Sequence, residues 1–409
     1  MTYLAFVRKE RRLLSFAVSF TFFSSFGQTF LISLFVPYFL TAFELSNATF
    51  GSLYSAATLT SALALPWLGQ WIDRIPLRQY SMYVAIGLLI ASLVMAVSWH
   101  ISMLFVGLIL LRLSGQGLSG HTAQTTMARY NDQLRGKALS ISGIGYPLGE
   151  AILPSVIAGL LVMLHWRTTW ALIALVIGIF FIPVLWFLIR KERTAVDDEV
   201  VGDEKKISTS DQYKNLLTDT RTLFVIPAIL MPPFWVTGLF LYQVSAAEQL
   251  GWSAALIASA FVAFAGMRIA TGLFSGPIID RFSAKSIFPF LLIPMIAGLL
   301  VGYFFSGGWA AFVYLGLIGA TMGFSSTIKS ALWAEMYGTK VIGTVQSIFS
   351  SLMVFSTALS PFLVGWLLDQ SVSMNSILMI AIITSVISGI LSLKIMPAFS
   401  RRNTDKAKV

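Results

Sequence analysis

The sequence predicts an all-α membrane protein with twelve transmembrane helices in two pseudo-symmetric six-helix bundles. Three observations carry that prediction. The chain is 56% hydrophobic and 11% charged, with a mean hydropathy of +0.80, which leaves too little polar surface for a soluble protein. It divides into twelve apolar runs of the length a bilayer requires, about 20 residues of helix. It also repeats: Gly69-Gln-Trp-Ile-Asp73-Arg74 recurs 207 residues later as Gly276-Pro-Ile-Ile-Asp280-Arg281, and the same offset relates Gly136 to Gly343, Ser140 to Ser347 and Pro154 to Pro361. A register kept across both halves without net insertion marks two homologous bundles.

The runs, bounded by charge or by Gly/Pro clusters, fall at roughly 13–40, 48–72, 79–99, 101–127, 136–163 and 167–190, then 220–246, 254–278, 285–306, 309–334, 340–368 and 373–396. Several exceed the membrane minimum, which suits tilted or kinked helices, and Pro37, Pro147, Pro154, Pro233 and Pro361 stand where kinks are expected. The first run is too long for a signal-peptide core and lacks a small-residue cleavage pattern, so it is expected to remain as a helix. The domain reading is a first bundle over 1–190, a cytoplasmic linker over 191–219, a second bundle over 220–396 and a cytoplasmic tail over 397–409. The linker carries Asp197-Asp198-Glu199 and Asp203-Glu204-Lys205-Lys206 with few apolar residues, the composition of a solvated segment, with a short amphipathic piece near Tyr213–Leu217.

A net charge of +10 raises the question of a nucleic-acid partner. Its distribution answers otherwise. With both termini cytoplasmic, 24 of the 28 Lys and Arg fall in cytoplasmic segments and only Arg167 lies on the outer side, as the positive-inside rule requires. The chain has no cysteine, which removes disulfides, thiolate catalysis and Cys-based metal sites. Gly115-Gln-Gly117-Leu-Ser-Gly120 matches a dinucleotide fingerprint by letter but follows an apolar helix instead of a strand. No Walker-type loop points to ATP, and no nucleophile stands with a base, so neither an enzyme nor a cofactor is expected.

The two Gly-x-x-x-Asp-Arg loops, after the second and the eighth runs, resemble those of the major facilitator superfamily over essentially the whole chain. Gly69, Asp73, Arg74 and Arg78 match that family's loop, with Pro76 in place of its second glycine, and Gly276, Asp280, Arg281 and Lys285 form the second copy. The resemblance implies a latch holding the cytoplasmic gate in the outward-open state. The acids are expected against the positive N-terminal end of the fifth or eleventh helix and the arginines on nearby acids or carbonyls, with Glu335 as partner of Arg281.

Four charges interrupt the apolar runs, where each is expensive unless paired or hydrated. Arg112, Glu150 and Arg268 lie about 11–14 residues into their helices, near mid-depth at about 1.5 Å per residue, and Lys329 lies nearer the cytoplasmic side. Arg112-Leu-Ser-Gly115-Gln-Gly117 resembles the superfamily's fourth-helix signature, whose arginine is tied to proton coupling. Burial favours the neutral form of a carboxyl group while a nearby guanidinium favours its charged form, so Glu150 is the candidate proton carrier and Arg112 its switchable partner. A permanent structural salt bridge between the two is the alternative.

Arg268, in Gly266-Met-Arg268-Ile-Ala-Thr-Gly272, resembles the arginine of the monocarboxylate and oxalate/formate transporter branch that binds the substrate carboxylate. That branch carries an aspartate where this chain has Phe264, and a lysine in the first helix where this chain offers Gln28 and Tyr38. Three cations against one acid make an anion the cheapest way to neutralise an occupied cavity.

Gln28, Tyr38, Tyr54, Trp235, Tyr242 and Gln243 are candidates for neutral hydrogen bonds, and Arg268, Arg112 and Lys329 for the charged contacts. His121 is expected in packing, and His100 and His165 at outer helix ends. The expected function is a monomeric secondary transporter in a bacterial inner membrane, moving a small organic anion between the two halves together with a proton. A proton-driven exporter of drugs or amphiphiles is the first alternative. A non-transporting receptor on the same fold is the second.

Overall fold

The structure, a computed structural model, describes residues 3–131, 134–189, 220–337 and 342–396. The expected linker 191–219, its amphipathic piece and the tail 397–409 lie outside them. The chain forms two compact units, Met1–Gly202 and Asp203–Val409. Among the described residues the regular structure is helical throughout.

Unit 1 contains α1 (Arg11–Gly27 continuing as Thr29–Ala42), α2 (Asn47–Gly69), α3 (Leu77–Ala96), α4 (Ile101–Tyr130), α5 (Gly136–Met163) and α6 (Trp166–Ile189). Unit 2 contains α7 (Arg221–Leu241), α8 (Ala254–Phe282), α9 (Ala284–Phe304), α10 (Gly308–Tyr337), α11 (Ile348–Asp369) and α12 (Met374–Ile395). Ten of these are long and apolar enough to cross a membrane, and α1 makes eleven when its bent pair counts as one span. The twelfth, α2, is 23 residues long but carries Asn, Ser, Thr and Tyr along its length. The repeat reaches down to its capping residue. Ser46 accepts from Thr49 N at the start of α2, and Ser253, 207 residues on, accepts from Leu256 N at the start of α8, each satisfying an amide that has no partner inside its helix.

Helix contact in these units relies on small residues, since lipid tails are as apolar as side chains and only close approach adds packing. Gly145 and Gly149 of α5 lie against α1 so closely that a Cβ on either would collide with Thr21, Val18 or Ser25. Gly319 and Gly323 of α10 lie likewise on the carbonyls of Phe264 and Arg268 in α8, and Thr271 Oγ1 donates across that seam to Ala320 O at 3.0 Å. Both seams use the spacing Gly-x-x-x-Gly, which puts two glycines on one helix face.

Between the seams the interior is aromatic. Phe23 stacks on Phe181 at 4.2 Å and Phe39 meets Trp166 edge-on at 5.2 Å in unit 1, while in unit 2 Trp333 stacks on Phe349 at 3.8 Å beside Val225, Ile229, Phe288 and Leu332. Side chains such as Leu63, Trp67, Leu273, Phe274 and Phe355 are exposed.

The bend in α1 is not at a proline. The two parts of α1 bend by 45° at Gln28, which is extended with ψ 149° and follows a 3-10 turn over Ser24–Gly27. Pro37 sits in the first turn of the segment Val36–Ala42, where its missing N–H costs nothing.

Candidate functional site

A break in a helix inside lipid leaves backbone groups that protein must satisfy, because no water is there to do it. In α1 the carbonyl of Gly27 receives Nη1 of Arg112 at 3.3 Å, and the same Nη1 lies 3.5 Å from Thr29 Oγ1. Thr29 and Tyr54 share a hydrogen bond of 2.9 Å, and the guanidinium lies over the Tyr54 ring at 5.1 Å. Arg112 is only 6% exposed, so this cluster is a buried polar centre built by α1, α2 and α4. The local backbone contributes: Leu111–Leu118 is π-helical, a wider turn that occurs often at functional sites. Gly27 and Gly115 make the contact possible, with a Cβ on Gly27 meeting Gly115 Cα at 2.8 Å.

Glu150, also 6% exposed, follows Gly149 on α5 where that helix packs on Ser25 of α1. Arg112 and Glu150 do not form an ion pair: the hydrogen bonds of Arg112 go to Gly27 and Thr29. The bend at Gln28 offers Arg112 a carbonyl, a demand on the guanidinium that helix spacing does not reveal.

In unit 2, Arg268 is half-buried on α8 and its own carbonyl lies under Gly323 of α10. Lys329 on α10 points its ammonium at the thioether of Met353 on α11, 3.4 Å away, a weak acceptor for a full charge. Gln243, 5% exposed, lines a small pocket with Leu239, Phe240, Trp252 and Tyr314. Tyr242 is buried and donates to Pro361 O at 3.2 Å, and Trp235 donates to Thr384 Oγ1 at 3.0 Å. Both bind unit 2 together. Of the first-helix candidates, Gln28 is half-buried at the bend, whereas Tyr38 is exposed and reaches Leu161 O at 3.5 Å.

The two loops expected to act as latches use different chemistry. Asp73 pairs with Arg129 from the last turn of α4, and the same arginine donates to Ile72 O at 3.3 Å. The acid's partner is thus a cation at a helix C-terminus, where the macrodipole favours positive charge. Arg74 donates to the Gln70 side chain at 3.2 Å, and Arg78 stacks on Trp186 at 3.4 Å instead of meeting an acid.

In unit 2, Glu335 at the end of α10 accepts from the backbone N–H groups of Ala284 and Lys285 at 2.7 and 3.0 Å, and Lys285 Nζ donates to Glu335 O at 2.7 Å. Glu335 therefore caps the start of α9 and does not pair with Arg281, whose guanidinium lies 5.2 Å from the Phe282 ring. Ser283, at φ 67°, turns the chain so that both amides face the carboxylate. Asp280 is exposed.

Arg129 is the residue that sequence reasoning missed, and its position in the last turn of a helix beside an acidic loop was the available signal. The histidines also gain roles. His100 and His165 accept from Ser102 N and Arg167 N as caps of α4 and α6, while His121 contacts Gly69 O at 3.2 Å.

Searched against curated proteins, the sequence finds no match. Among solved structures the fold is similar to the nucleoside transporter NupG, at 12% identity over 94% of this chain and 98% of that one with a TM-score of 0.71, and to a point-substituted form of it at 13%, 94%, 99% and 0.73. It is also similar to a bacterial homolog of the human lysosomal transporter Spinster, at 15% identity over 97% of each chain and a TM-score of 0.69. A sequence profile of the Major Facilitator Superfamily matches residues 18–247 and 223–408, both halves of the repeat. With that profile matching both halves, the chain belongs to the Major Facilitator Superfamily.

Proposed function

We propose that this membrane transporter carries a small organic anion, a carboxylate, across the cytoplasmic membrane by alternating access, in symport with a proton. The observation that supports this most is the excess of cations within the spans: buried Arg112 and half-buried Arg268 and Lys329 stand against buried Glu150, and the Lys329 ammonium has a thioether as its contact. An anion entering such a protein offsets an excess of positive charge that is costly in lipid. In this reading Arg268 binds the carboxylate in bidentate fashion, with Lys329, Arg112, Gln28, Tyr38, Tyr242 and Gln243 as further contacts. Glu150 carries the proton. The transporter works as a monomer with both termini cytoplasmic, in a bacterial inner membrane, and the latches around Asp73 and Glu335 stabilise the outward-open state.

A ligand that binds only the folded state raises apparent stability, so thermal unfolding of the purified protein against a panel of small carboxylates, run beside Arg268→Gln and Lys329→Gln, tests the reading. Stabilisation of the wild type that either variant abolishes supports a carboxylate site. Stabilisation by lipophilic cations alone, or an Arg268→Gln response equal to wild type, replaces it with the exporter of amphiphiles.

A further inference from the structure

Gly69 is the glycine of the first latch loop, yet its backbone is ordinary helix, with φ −62° and ψ −38°. Conformation does not call for glycine here. Space does: a Cβ at this position would lie 3.3 Å from Nε2 and 3.5 Å from Cδ2 of His121, so the imidazole of α4 rests directly on the last residue of α2. The related Gly276 in unit 2 has no described atom within 4 Å of such a Cβ, and the residue 207 positions after His121 is Ile328, buried in the apolar core. The contact is therefore peculiar to the first half.

The bond has a defined direction. A carbonyl only accepts, so Nε2 carries the hydrogen and donates to Gly69 O at 3.2 Å, and Nδ1 is left to face Thr125 Oγ1 at 3.4 Å. One helix thus touches the loop twice. His121 holds its first residue, and Arg129, eight positions on and on the same face of α4, holds Ile72 O and the Asp73 carboxylate.

We infer that His121 is a positioning residue of the first latch: by donating to Gly69 O it fixes the end of α2 against α4, so that Asp73 is presented to Arg129. This rests on the latch reading proposed above for Asp73. Its place between two anchored points leaves the turn Gln70–Asp73 little freedom, and the amides of Arg74 and Ile75, both bonded to Trp71 O at 3.0 and 3.1 Å, respond to any loosening.

Hydrogen exchange of the peptide covering 70–76 tests the inference in the full-length protein in lipid nanodiscs, comparing wild type with His121→Phe, His121→Gln, Gly69→Ala and Asp73→Asn. His121→Phe keeps the ring and removes the donor, and is expected to speed exchange by about fivefold, the population change of one lost hydrogen bond. His121→Gln restores a donor and is expected to return towards wild type, while Gly69→Ala, which displaces the imidazole, follows His121→Phe.

If Asp73→Asn speeds exchange but His121→Phe does not, the latch stands and the role of His121 is overturned. That role is overturned equally if His121→Gln is as fast as His121→Phe, since the hydrogen bond is then irrelevant. If neither Asp73→Asn nor His121→Phe alters exchange, the latch reading itself fails and this inference with it. Global unfolding is followed on the same samples, and a variant that unfolds globally is replaced in the comparison by Gly69→Ala, which leaves His121 intact.

Discussion

The two halves place opposite chemistry at repeat-related positions. Arg112 in α4 corresponds, 207 residues on, to Gly319 in α10, and Ser61 in α2 to Arg268 in α8. In unit 1 the cation on α4 holds the broken α1 together, while Ser61 donates to Ile109 O at 2.9 Å and joins α2 to α4. In unit 2 the cation has moved to the partner helix, and glycine brings α10 onto the backbone of α8. The two loops show the same exchange of sign: a cation from the end of α4 takes an acid of the loop, whereas an acid from the end of α10 takes two backbone amides. A duplicated fold keeps its helix paths while the pairings inside each copy are free to invert, provided the buried charged groups still find polar contacts.

The strongest way to break the comparison is to exchange the two fourth-helix positions. Gly319→Leu drives a side chain into the carbonyl of Phe264, with no flexible neighbour to yield, and should lower stability by about 3 kcal/mol or more. Loss of monodisperse protein after extraction, or a collapse of the melting transition, measures it. Arg112→Met should cost about 1–3 kcal/mol by leaving the Gly27 carbonyl without its donor, read as a drop in thermal midpoint. Arg112→Lys should recover part of that loss, because an ammonium reaches one acceptor but not the spread of a guanidinium.

The two Gly-x-x-x-Asp-Arg loops sharpen the contrast at a smaller scale. Glu335→Ala removes the cap of α9, an effect of about 1 kcal/mol, and should be nearly insensitive to salt because backbone amides are the partners. Arg129→Gln should cost less than about 1 kcal/mol, since Asp73 is largely exposed. Its effect should fade as ionic strength rises. Denaturation at low and high salt separates the two: equal salt dependence would mean that both are ordinary ion pairs. Smallest of all, Gly276→Ala should be neutral within about 0.5 kcal/mol, because its Cβ enters open space, while Gly69→Ala should be measurably worse in the same assay.

How much of this was legible in the sequence depends on the kind of interaction. The repeat located both latch loops, and the buried charges were legible as exceptions in apolar runs. Arg129 belongs to no motif, although the last turn of a helix is a recognised place for a cation that meets an acid. The role of Arg112 was not legible either, because it depends on a 45° bend at Gln28 that no proline or glycine pair announces. Gln28 follows Gly27, which packs closely on Gly115, a contact between segments far apart in the chain.

Composition, hydropathy and the 207-residue offset determined that the chain crosses a membrane many times, that it is duplicated, and which residues carry charge where lipid makes charge costly. These follow from short-range regularities, the length of an apolar run and the spacing of a repeat, which the order of residues records directly. Tertiary structure alone decided that Arg112 serves Gly27 and not Glu150, that Glu335 serves the start of α9 and not Arg281, and that His121 rests on Gly69. Each of these partners is chosen by the direction in which one helix presents a side chain to another, and that direction is set by bends and close approaches that arise only when the helices pack.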